Sequence, residues 1–283
     1  MVLRKVIGSV HAAVYSYIKP GAMHRYSPGP QPYNYMRVAL SLSNEIYRLA
    51  IDIDRASRGE IGLPDIRIGQ IISRSLREGL VSLGVLAPLE MISSIIFSAL
   101  ALSYGLSRRE DKPSGFLKAL YDILTTTTVR DTLELYDTLR RMGYNEAEYL
   151  ELHGYTRGYL EVEGYRLIDF TRILANKHKL FNYIQPHNRF VVNIAERIIE
   201  DYDLGKDLNN AIVRGYVELL AKEYSDLAKK LDEAVKLKLM RTRDGLRLLY
   251  NIDQEIRKTG KSFDELIPVL ILAVSIASPQ LPI

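Results

Sequence analysis

A short basic segment between two predicted helices carries the side chains best suited to bind phosphate. Lys19, His24 and Arg25 lie in one connection that contains the helix-breaking pair Pro20-Gly21. Backbone N–H groups in such a turn, next to cationic side chains, can bind phosphate oxygens. Arginine can bind two oxygens at once, whereas lysine acts as a point charge. The segment therefore predicts an anion site, and an ordinary basic loop is the alternative.

Several other kinds of site are excluded by the residue types. The chain has no cysteine, which excludes disulfides, thiolate metal sites and cysteine nucleophiles. Its five histidines are spread along the chain without an HxxxH or HExxH pattern, and no P-loop, GxGxxG or GxSxG motif occurs. Zinc and serine hydrolases therefore have no support, and no metal ligand is assigned. His178 and His187 are expected at the surface or in helix caps.

Composition and charge favour a folded, mildly basic protein. Hydrophobic residues make up 47% and charged residues 25%, with a formal net charge of +4, which excludes a wholly disordered chain. The charge suits an anionic small molecule or a nucleic acid. A nucleic-acid interface would use the basic stretch at residues 229–247, but acidic residues are interspersed there, which favours a solvated surface. The absence of cysteine with abundant Tyr, Ile and Arg suggests a thermophilic source.

Two apolar stretches raise the question of a membrane. Residues 79–106 contain one charged side chain, Glu90, and residues 266–283 contain none. Gly84 and Pro88 interrupt the first stretch and three prolines interrupt the second, so both are predicted as buried core helices and not as spans of about 20 residues. No membrane partner and a cytoplasmic location are expected. Glu90 should face a cavity, be paired, or lie favourably at a helix N-terminus.

Helical periodicity dominates the whole chain. It predicts helices at residues 2–18, 33–56, 66–81, 88–104, 129–142, from about 145, and at 165–183, 188–202, 207–223, 226–240, 243–258 and 263–277. The threonine run at 125–128 is predicted as a loop that ends in an N-cap. The predicted fold is all-α, a single compact multi-helix domain over residues 1–283 with buried central apolar helices and 88–104 at its centre. A domain boundary near residue 110 is the alternative.

Four segments resemble, in order, motifs of the triphosphoribosyl-dephospho-CoA synthase family, as found in its archaeal-type members. They are IKPGAMHRY at 18–26, LGVLAPL at 83–89, TTTVRDTLELYDTLR at 126–140 and LLAKEYSDL at 219–227. The sequence SFDEL at 262–266 lies where the family has NPGTTADL, so the family aspartate falls on Asp264 or Glu265.

The resemblance implies a reaction and a set of residues. The family joins ATP and 3′-dephospho-CoA through a glycosidic bond and releases adenine, so carboxylates would stabilise the ribosyl cation and activate the attacking hydroxyl. ATP would be a substrate, with Mg²⁺ as its counterion. The implied phosphate-binding residues are Lys19, His24 and Arg25, and the implied catalytic carboxylates are Asp131, Glu134 and Asp226. Asp131 and Glu134 share one helix face, and a solvated helix surface is the alternative for this pair.

Departures from the family motifs leave a second function open. Ala22 replaces an asparagine, residues 77–81 lack both asparagines of the family's NTNLG motif, and the family's RK pair becomes Lys229-Lys230. The first hypothesis is a nucleotide-dependent transferase of this type, with the same or another acceptor. The second is a helical nucleotide- or coenzyme-binding protein without catalysis, and the third is a nucleic-acid-binding protein.

Overall fold

The helical pattern of the sequence is realised throughout the computed structural model, which describes residues 1–27 and 29–283. The chain is 76% helical, with sixteen α-helices and no strand in the described part. The prediction of a compact all-α fold is therefore confirmed. The helices are α1 Val2–Tyr15, α2 Gln31–Ser41, α3 Ser43–Ser57, α4 Ile68–Leu83, α5 Leu89–Ser107, α6 Pro113–Thr126, α7 Val129–Met142, α8 Asn145–Leu152, α9 Arg157–Val162, α10 Leu167–Leu174, α11 Lys179–Tyr183, α12 Phe190–Gly205, α13 Leu208–Glu223, α14 Ser225–Lys236, α15 Arg243–Lys258 and α16 Ile267–Ala277. Short 3₁₀ turns occupy Leu63–Asp65, Leu239–Arg241, Asp264–Leu266 and Ser278–Gln280.

The two most apolar helices, α5 and α16, form the centre of the molecule. They pack against each other, and α3, α6, α1 and α12 surround them. Both helices are buried on nearly all sides, as expected for helices without a polar face. Each buried Leu, Ile or Phe side chain stabilises the fold by about 1.5–3 kcal/mol relative to an exposed one. In the described chain, α5 alone is long and apolar enough to cross a membrane, and 83% of its most apolar window is buried inside the protein.

The first and last α-helices of the chain pack against each other. α1 packs against α16, and the Lys5 ammonium group donates hydrogen bonds to the carbonyl oxygens of Ser278 and Leu281, the latter at 3.3 Å. These carbonyls follow the C-terminus of α16, where the helix dipole favours a cation. Residues at the two ends of the sequence therefore share one packed layer.

Local signals place some helix boundaries correctly. Thr128 is the N-cap of α7, and the Asp131 carboxylate accepts from the Thr128 backbone N–H, which completes a capping box. Gly143 ends the helix with a φ of +76°, a conformation that glycine adopts without strain. The predicted N-cap and end of this helix are confirmed, but the predicted loop at 125–128 is shorter, because Thr125 and Thr126 are the last residues of α6.

The predicted helix at 165–183 is in fact two helices, α10 and α11. His178 has an extended backbone conformation between them, with φ −129° and ψ 125°. Its imidazole lies between the carboxylates of Glu90 and Glu146. These tertiary contacts outweigh the helical propensity of the segment. Helices α6 and α9 were not predicted, because glycines and prolines mark the sequences around them.

Candidate functional site

The basic segment that follows α1 is held by two carboxylates from the other end of the chain. We call residues 16–27 the KPG loop, after Lys19-Pro20-Gly21. The Gly21 N–H donates to Asp253 Oδ1 at 2.8 Å, and the Met23 N–H donates to Asp264 Oδ1 at 2.7 Å. Asp253 lies on α15 and Asp264 opens the 3₁₀ turn before α16. The loop conformation is thus fixed by groups more than 200 residues away along the chain.

The carbonyl groups of the same loop are also satisfied. Phe263 N–H donates to Gly21 O and the Tyr216 hydroxyl donates to Pro20 O, both at 2.8 Å. Arg257 donates to Ala22 O at 2.9 Å. Gly21 has a φ of +73°, which favours glycine over any residue with a Cβ. These bonds satisfy backbone groups that would otherwise be buried without partners.

Asp253 is a buried carboxylate that holds the KPG loop. Burial raises the pKa of its carboxyl group, but the nearby His24 imidazole and the hydrogen bonds from Arg257 and the Gly21 N–H outweigh that effect and hold the pKa below its ordinary value. The Arg257 Nε lies 2.8 Å from Asp253 Oδ2. A buried carboxylate is tolerated because it is both paired and hydrogen-bonded.

Lys19 is a structural residue in this conformation. Its side chain is fully buried, and the ammonium group donates to Ser16 O at 2.7 Å and to Val14 O and Ser16 Oγ at 3.1 Å. Burial lowers its pKa well below the ordinary value for lysine. Lys19 therefore satisfies the carbonyl groups at the C-terminal end of α1, where a cation is favoured, and its donors are not directed at solvent.

His24 is also turned into the protein. It is 4% exposed; its Nε2 lies 3.8 Å from Asp253 Oδ2 and 3.2 Å from Arg257 Nη2. The Tyr26 N–H donates to its Nδ1 at 3.2 Å. His24 therefore takes part in holding the loop, together with the residues of α15.

Arg25 is the cation of the loop that faces solvent. Its Nη2 donates to Asn209 Oδ1 at 3.1 Å and its Nε to Tyr15 O at 3.3 Å. It lines a cleft of about 390 Å³ between α1 and the start of α13, which we call the Arg25 cleft. The lining residues are His11, Ala12, Tyr15, Ser16, Arg25, Leu208, Asn209 and Ile212.

The Arg25 cleft is suited to an anion. Its described lining contains a guanidinium group and an imidazole, from His11, but no carboxylate. Leu208 and Asn209 are the first residues of the 16-residue helix α13, and N–H groups of a first turn have no partner within the helix. This helix end is capped by a carboxylate, because Asp207 Oδ1 accepts from the Asn210 N–H at 3.1 Å, so Arg25 and not the helix dipole is the main positive group of the cleft. The apolar side chains of Leu208 and Ile212 provide a surface for an uncharged part of a ligand.

Asp131 lies elsewhere and serves the packing of α4 against α7. Its side chain is 1% exposed and accepts from the backbone N–H of Gly69 and of Thr128, both at 3.0 Å, and from Thr128 Oγ1 at 2.8 Å. Gly69 permits this close approach, because a Cβ at that position would overlap the Asp131 backbone. Both oxygens of this carboxylate therefore accept hydrogen bonds that hold α4 and the start of α7 in place.

Glu134 and Asp226 are not brought to the KPG loop by any described contact. Glu134 is half-buried on α7, and only its backbone oxygen takes part in a contact between helices, with Ser73 Oγ. Asp226 is exposed in the first turn of α14. No hydrogen bond or ion pair in residues 1–27 and 29–283 joins Asp131, Glu134 or Asp226 to residues 16–27. The structure brings together Lys19, His24 and Arg25, and with them Asp253 and Asp264.

A second polar cluster surrounds the isolated charge of the central helix. His178 Nδ1 contacts a Glu90 carboxylate oxygen, and its Nε2 lies 2.8 Å from Glu146 Oε1. These side chains line a cleft of about 280 Å³ together with residues 86–89 and 143–145. Both glutamates lie in the first turn of a helix, where the dipole favours a carboxylate. All the roles expected of Glu90 are met together: it faces a cavity, it is paired, and it starts a helix.

His178 is held as an imidazolium by its two neighbours. Burial lowers its pKa, but the hydrogen bonds and negative charges of Glu146 and Glu90 outweigh burial and raise the pKa to about 9. Burial raises the pKa of Glu146, but the hydrogen bond from His178 outweighs burial and lowers that pKa below its ordinary value.

The two polar regions are connected through α11. Lys179, next to His178, and Tyr183 both contact the Glu223 carboxylate at the end of α13. The adjacent Tyr224 donates to Glu265, beside the loop anchor Asp264. Burial, followed by the charges of Glu90 and Asp264, raises the pKa of Tyr35 well above its ordinary value.

Three of the segments identified by resemblance therefore meet in the fold. They are the KPG loop, the 219–227 segment with Glu223 and Tyr224, and the 262–266 segment with Phe263 to Glu265. The ring centroids of Tyr224 and Phe263 lie 4.1 Å apart, so this contact is also packed. The 83–89 segment ends beside Glu90 at the second cluster.

Within the described residues, no group of three or more histidine, aspartate or glutamate side chains is arranged to hold a metal ion. Comparison of the chain with protein-family models, with curated proteins and with solved structures finds no match.

Sequence reasoning missed most partners of the loop. Asp253, Arg257 and Tyr216 lie on ordinary amphipathic helices and carry no local signal. Asp264 was indicated only by its alignment with the family aspartate. His178 was expected at the surface or in a cap; it is the N-cap residue of α11, but it is buried between two glutamates, which depends on tertiary contacts.

We predict that Asp131→Ala lowers the free energy of unfolding by about 2–4 kcal/mol, because it removes a capping carboxylate and leaves the Gly69 N–H buried without a partner. Urea denaturation followed by circular dichroism measures this. Glu134→Ala on the same helix is the control, with an expected change within about 1 kcal/mol. A fully stable Asp131→Ala protein that had lost ligand binding would instead support a catalytic role.

We predict that His178 makes stability depend on pH. Because its pKa is raised from 6.5 to about 9, its contribution is complete below about pH 6.5 and is lost as the pH rises through 9. The difference in unfolding free energy between the wild type and His178→Gln should shrink by about 3 kcal/mol between pH 6 and pH 9.5. His187→Gln, at an exposed histidine, is the control. A difference that stayed constant with pH would contradict the prediction.

Proposed function

We propose that the chain is a nucleotide-dependent transferase resembling triphosphoribosyl-dephospho-CoA synthase, with the phosphates of ATP bound in the Arg25 cleft. The observation that carries this proposal is the meeting of the KPG loop with the 219–227 and 262–266 segments. Three of the five resembling segments are thus in contact, whereas the 126–140 segment, with Asp131 and Glu134, packs against α4, α8, α9 and α10.

Arg25 is the residue assigned to phosphate in this proposal. Its guanidinium group lies at the surface of the cleft, and its contacts with Asn209 and Tyr15 orient it without neutralising its charge. Arg25 can exchange its neutral acceptors for phosphate oxygens, which form stronger, charge-assisted hydrogen bonds. The N–H groups of Leu208 and Asn209 would supply further donors to the same anion, since the Asn210 N–H already binds Asp207.

Lys19 and His24 take an indirect part in the proposed function. Their side chains are buried against α1 and α15, so they position the loop that presents Arg25. Mg²⁺ enters the proposal as the counterion of the triphosphate and hence as part of the substrate. The described residues offer it no protein site, and no step is assigned to it.

A second candidate function is nucleotide or coenzyme binding without catalysis. The observation that favours it is that the Asp131 carboxylate accepts hydrogen bonds from Gly69 and Thr128. These bonds give it a role in stabilising the fold. Nucleic-acid binding has less support, because several cations of residues 229–247 are paired. Lys230 lies 2.5 Å from Glu255, and Lys236 lies 2.6 Å from Asp232.

The proposal is tested by incubating the protein with ATP and 3′-dephospho-CoA and following adenine release by chromatography, with ATP affinity measured by calorimetry. Arg25→Ala should weaken ATP binding about 10- to 100-fold, which corresponds to about 1.5–3 kcal/mol for a hydrogen bond to a charged group. Arg130→Ala, at an exposed arginine on α7, is the matched control and should bind ATP as the wild type does.

The outcomes separate the candidates. Adenine release that depends on Arg25 supports the transferase. Saturable, Arg25-dependent ATP binding without adenine release supports the binding protein. ATP affinity that is the same in the wild type and in folded Arg25→Ala rejects the phosphate role of the cleft.

A further inference from the structure

The Arg25 cleft has an aromatic surface that phosphate binding alone does not explain. His11 and Tyr15 lie about one turn apart on α1, and both line the cleft. Their ring centroids are 5.0 Å apart, and the ring planes are tilted by 31°. The two side chains therefore form one aromatic surface, which we call the His11–Tyr15 wall.

The cleft has an aliphatic surface as well. Leu208 and Ile212 lie about one turn apart on α13 and also line the cleft, and side chains at this spacing share one helix face. A ligand in the cleft therefore contacts aromatic rings from α1 and aliphatic side chains from α13. This combination buries a flat, largely apolar ring system better than it buries an extended polar chain.

Arg25 lies at one end of the wall. Its Nε donates to the backbone oxygen of Tyr15 at 3.3 Å, whereas His11 lies about 6 Å farther back along α1. The guanidinium group and the wall thus face the same cleft of about 390 Å³. A ligand that joins an anionic group to a planar ring contacts both of them, and a nucleotide is such a ligand.

The polar atoms of the wall are available to a ligand. His11 is exposed and Tyr15 is half-buried. In the part of the chain that the structure describes, neither the His11 imidazole nor the Tyr15 hydroxyl takes part in a hydrogen bond or an ion pair. The described lining of the cleft contains no carboxylate, and Arg25 repels cations, so the organic cations that aromatic surfaces also bind are disfavoured.

We propose that the His11–Tyr15 wall binds the base of a nucleotide by stacking, with the phosphates of the same nucleotide at Arg25. This inference rests on the proposed function, since it takes the phosphate role of Arg25 as given. Aromatic side chains stack on any base, because every base has a π face. Leu208 and Ile212 then shield the base from water. The ligand class is a nucleoside triphosphate, because inorganic phosphates and phosphorylated sugars without a base lack the stacking contact.

Titration calorimetry of the full-length chain with ATP and with inorganic tripolyphosphate tests the proposal, because tripolyphosphate carries the phosphates without the base. His11→Ala should weaken ATP binding about tenfold, the loss expected for one stacked ring, and should leave tripolyphosphate binding within about twofold of the wild type. His11→Phe keeps an aromatic ring but not the imidazole nitrogens, and it should bind ATP within about threefold of the wild type.

His153→Ala is the matched control. His153 and Tyr149 form a similar pair outside the Arg25 cleft, with ring centroids 4.2 Å apart. This variant should bind both ligands as the wild type does. An equal loss of ATP affinity in His153→Ala and His11→Ala would contradict the assignment of the base to the cleft.

The outcomes separate this inference from the proposed function. If Arg25→Ala weakens the binding of both ligands and His11→Ala weakens that of ATP alone, both are supported. If Arg25→Ala weakens both but folded His11→Ala binds ATP as the wild type does, the phosphate role stands and the base site is overturned. Equal losses of ATP and tripolyphosphate affinity in His11→Ala, without recovery in His11→Phe, would assign the imidazole to phosphate and also overturn the base site. ATP affinity that neither Arg25→Ala nor His11→Ala changes overturns both proposals.

Discussion

The structure of the site depends on two carboxylates that accept hydrogen bonds from backbone N–H groups of the KPG loop. Asp253 accepts from the Gly21 N–H, and Asp264 accepts from the Met23 N–H. Hydrogen bonds to charged acceptors are among the stronger ones in proteins, and here they fix a connection that has no regular structure. Because these bonds fix the backbone of residues 21–23, they determine where the Arg25 side chain is placed at the protein surface.

This anchoring links the ends of the chain to the centre of the fold. α1 and α16 pack together against α5, and the carboxylates lie on α15 and in the turn before α16. Lys19 satisfies the end of α1, so the loop is bound at its start by its own helix and further along by the C-terminal region. A buried cation and buried carboxylates are stable there because each has several partners. The polar chain through Tyr224, Glu223 and α11 continues this arrangement to Glu90 and His178.

The sequence predicted those features that local patterns encode. Helical periodicity predicted the all-α fold and the central helix α5, and the threonine run predicted the cap of α7. The basic segment was correctly located in a loop between helices, but the burial of Lys19 and His24 was not predicted. Lys19 folds back onto the carbonyl groups of Val14 and Ser16. The burial of His24 instead depends on Asp253 and Arg257, which are distant in sequence and carry no pattern of their own. The break before His178 was missed for the same reason, since Glu90 and Glu146 hold that residue out of the helix.

The most direct test of the account measures ATP affinity by titration calorimetry in two variants of the anchor. Asp264→Ala removes the acceptor for the Met23 N–H, and the account predicts about tenfold weaker ATP binding although this residue does not line the Arg25 cleft. Asp264→Asn keeps an oxygen acceptor and is predicted to bind within about threefold of the wild type. Unchanged ATP affinity in a folded Asp264→Ala protein would contradict the claim that this carboxylate positions the loop for binding.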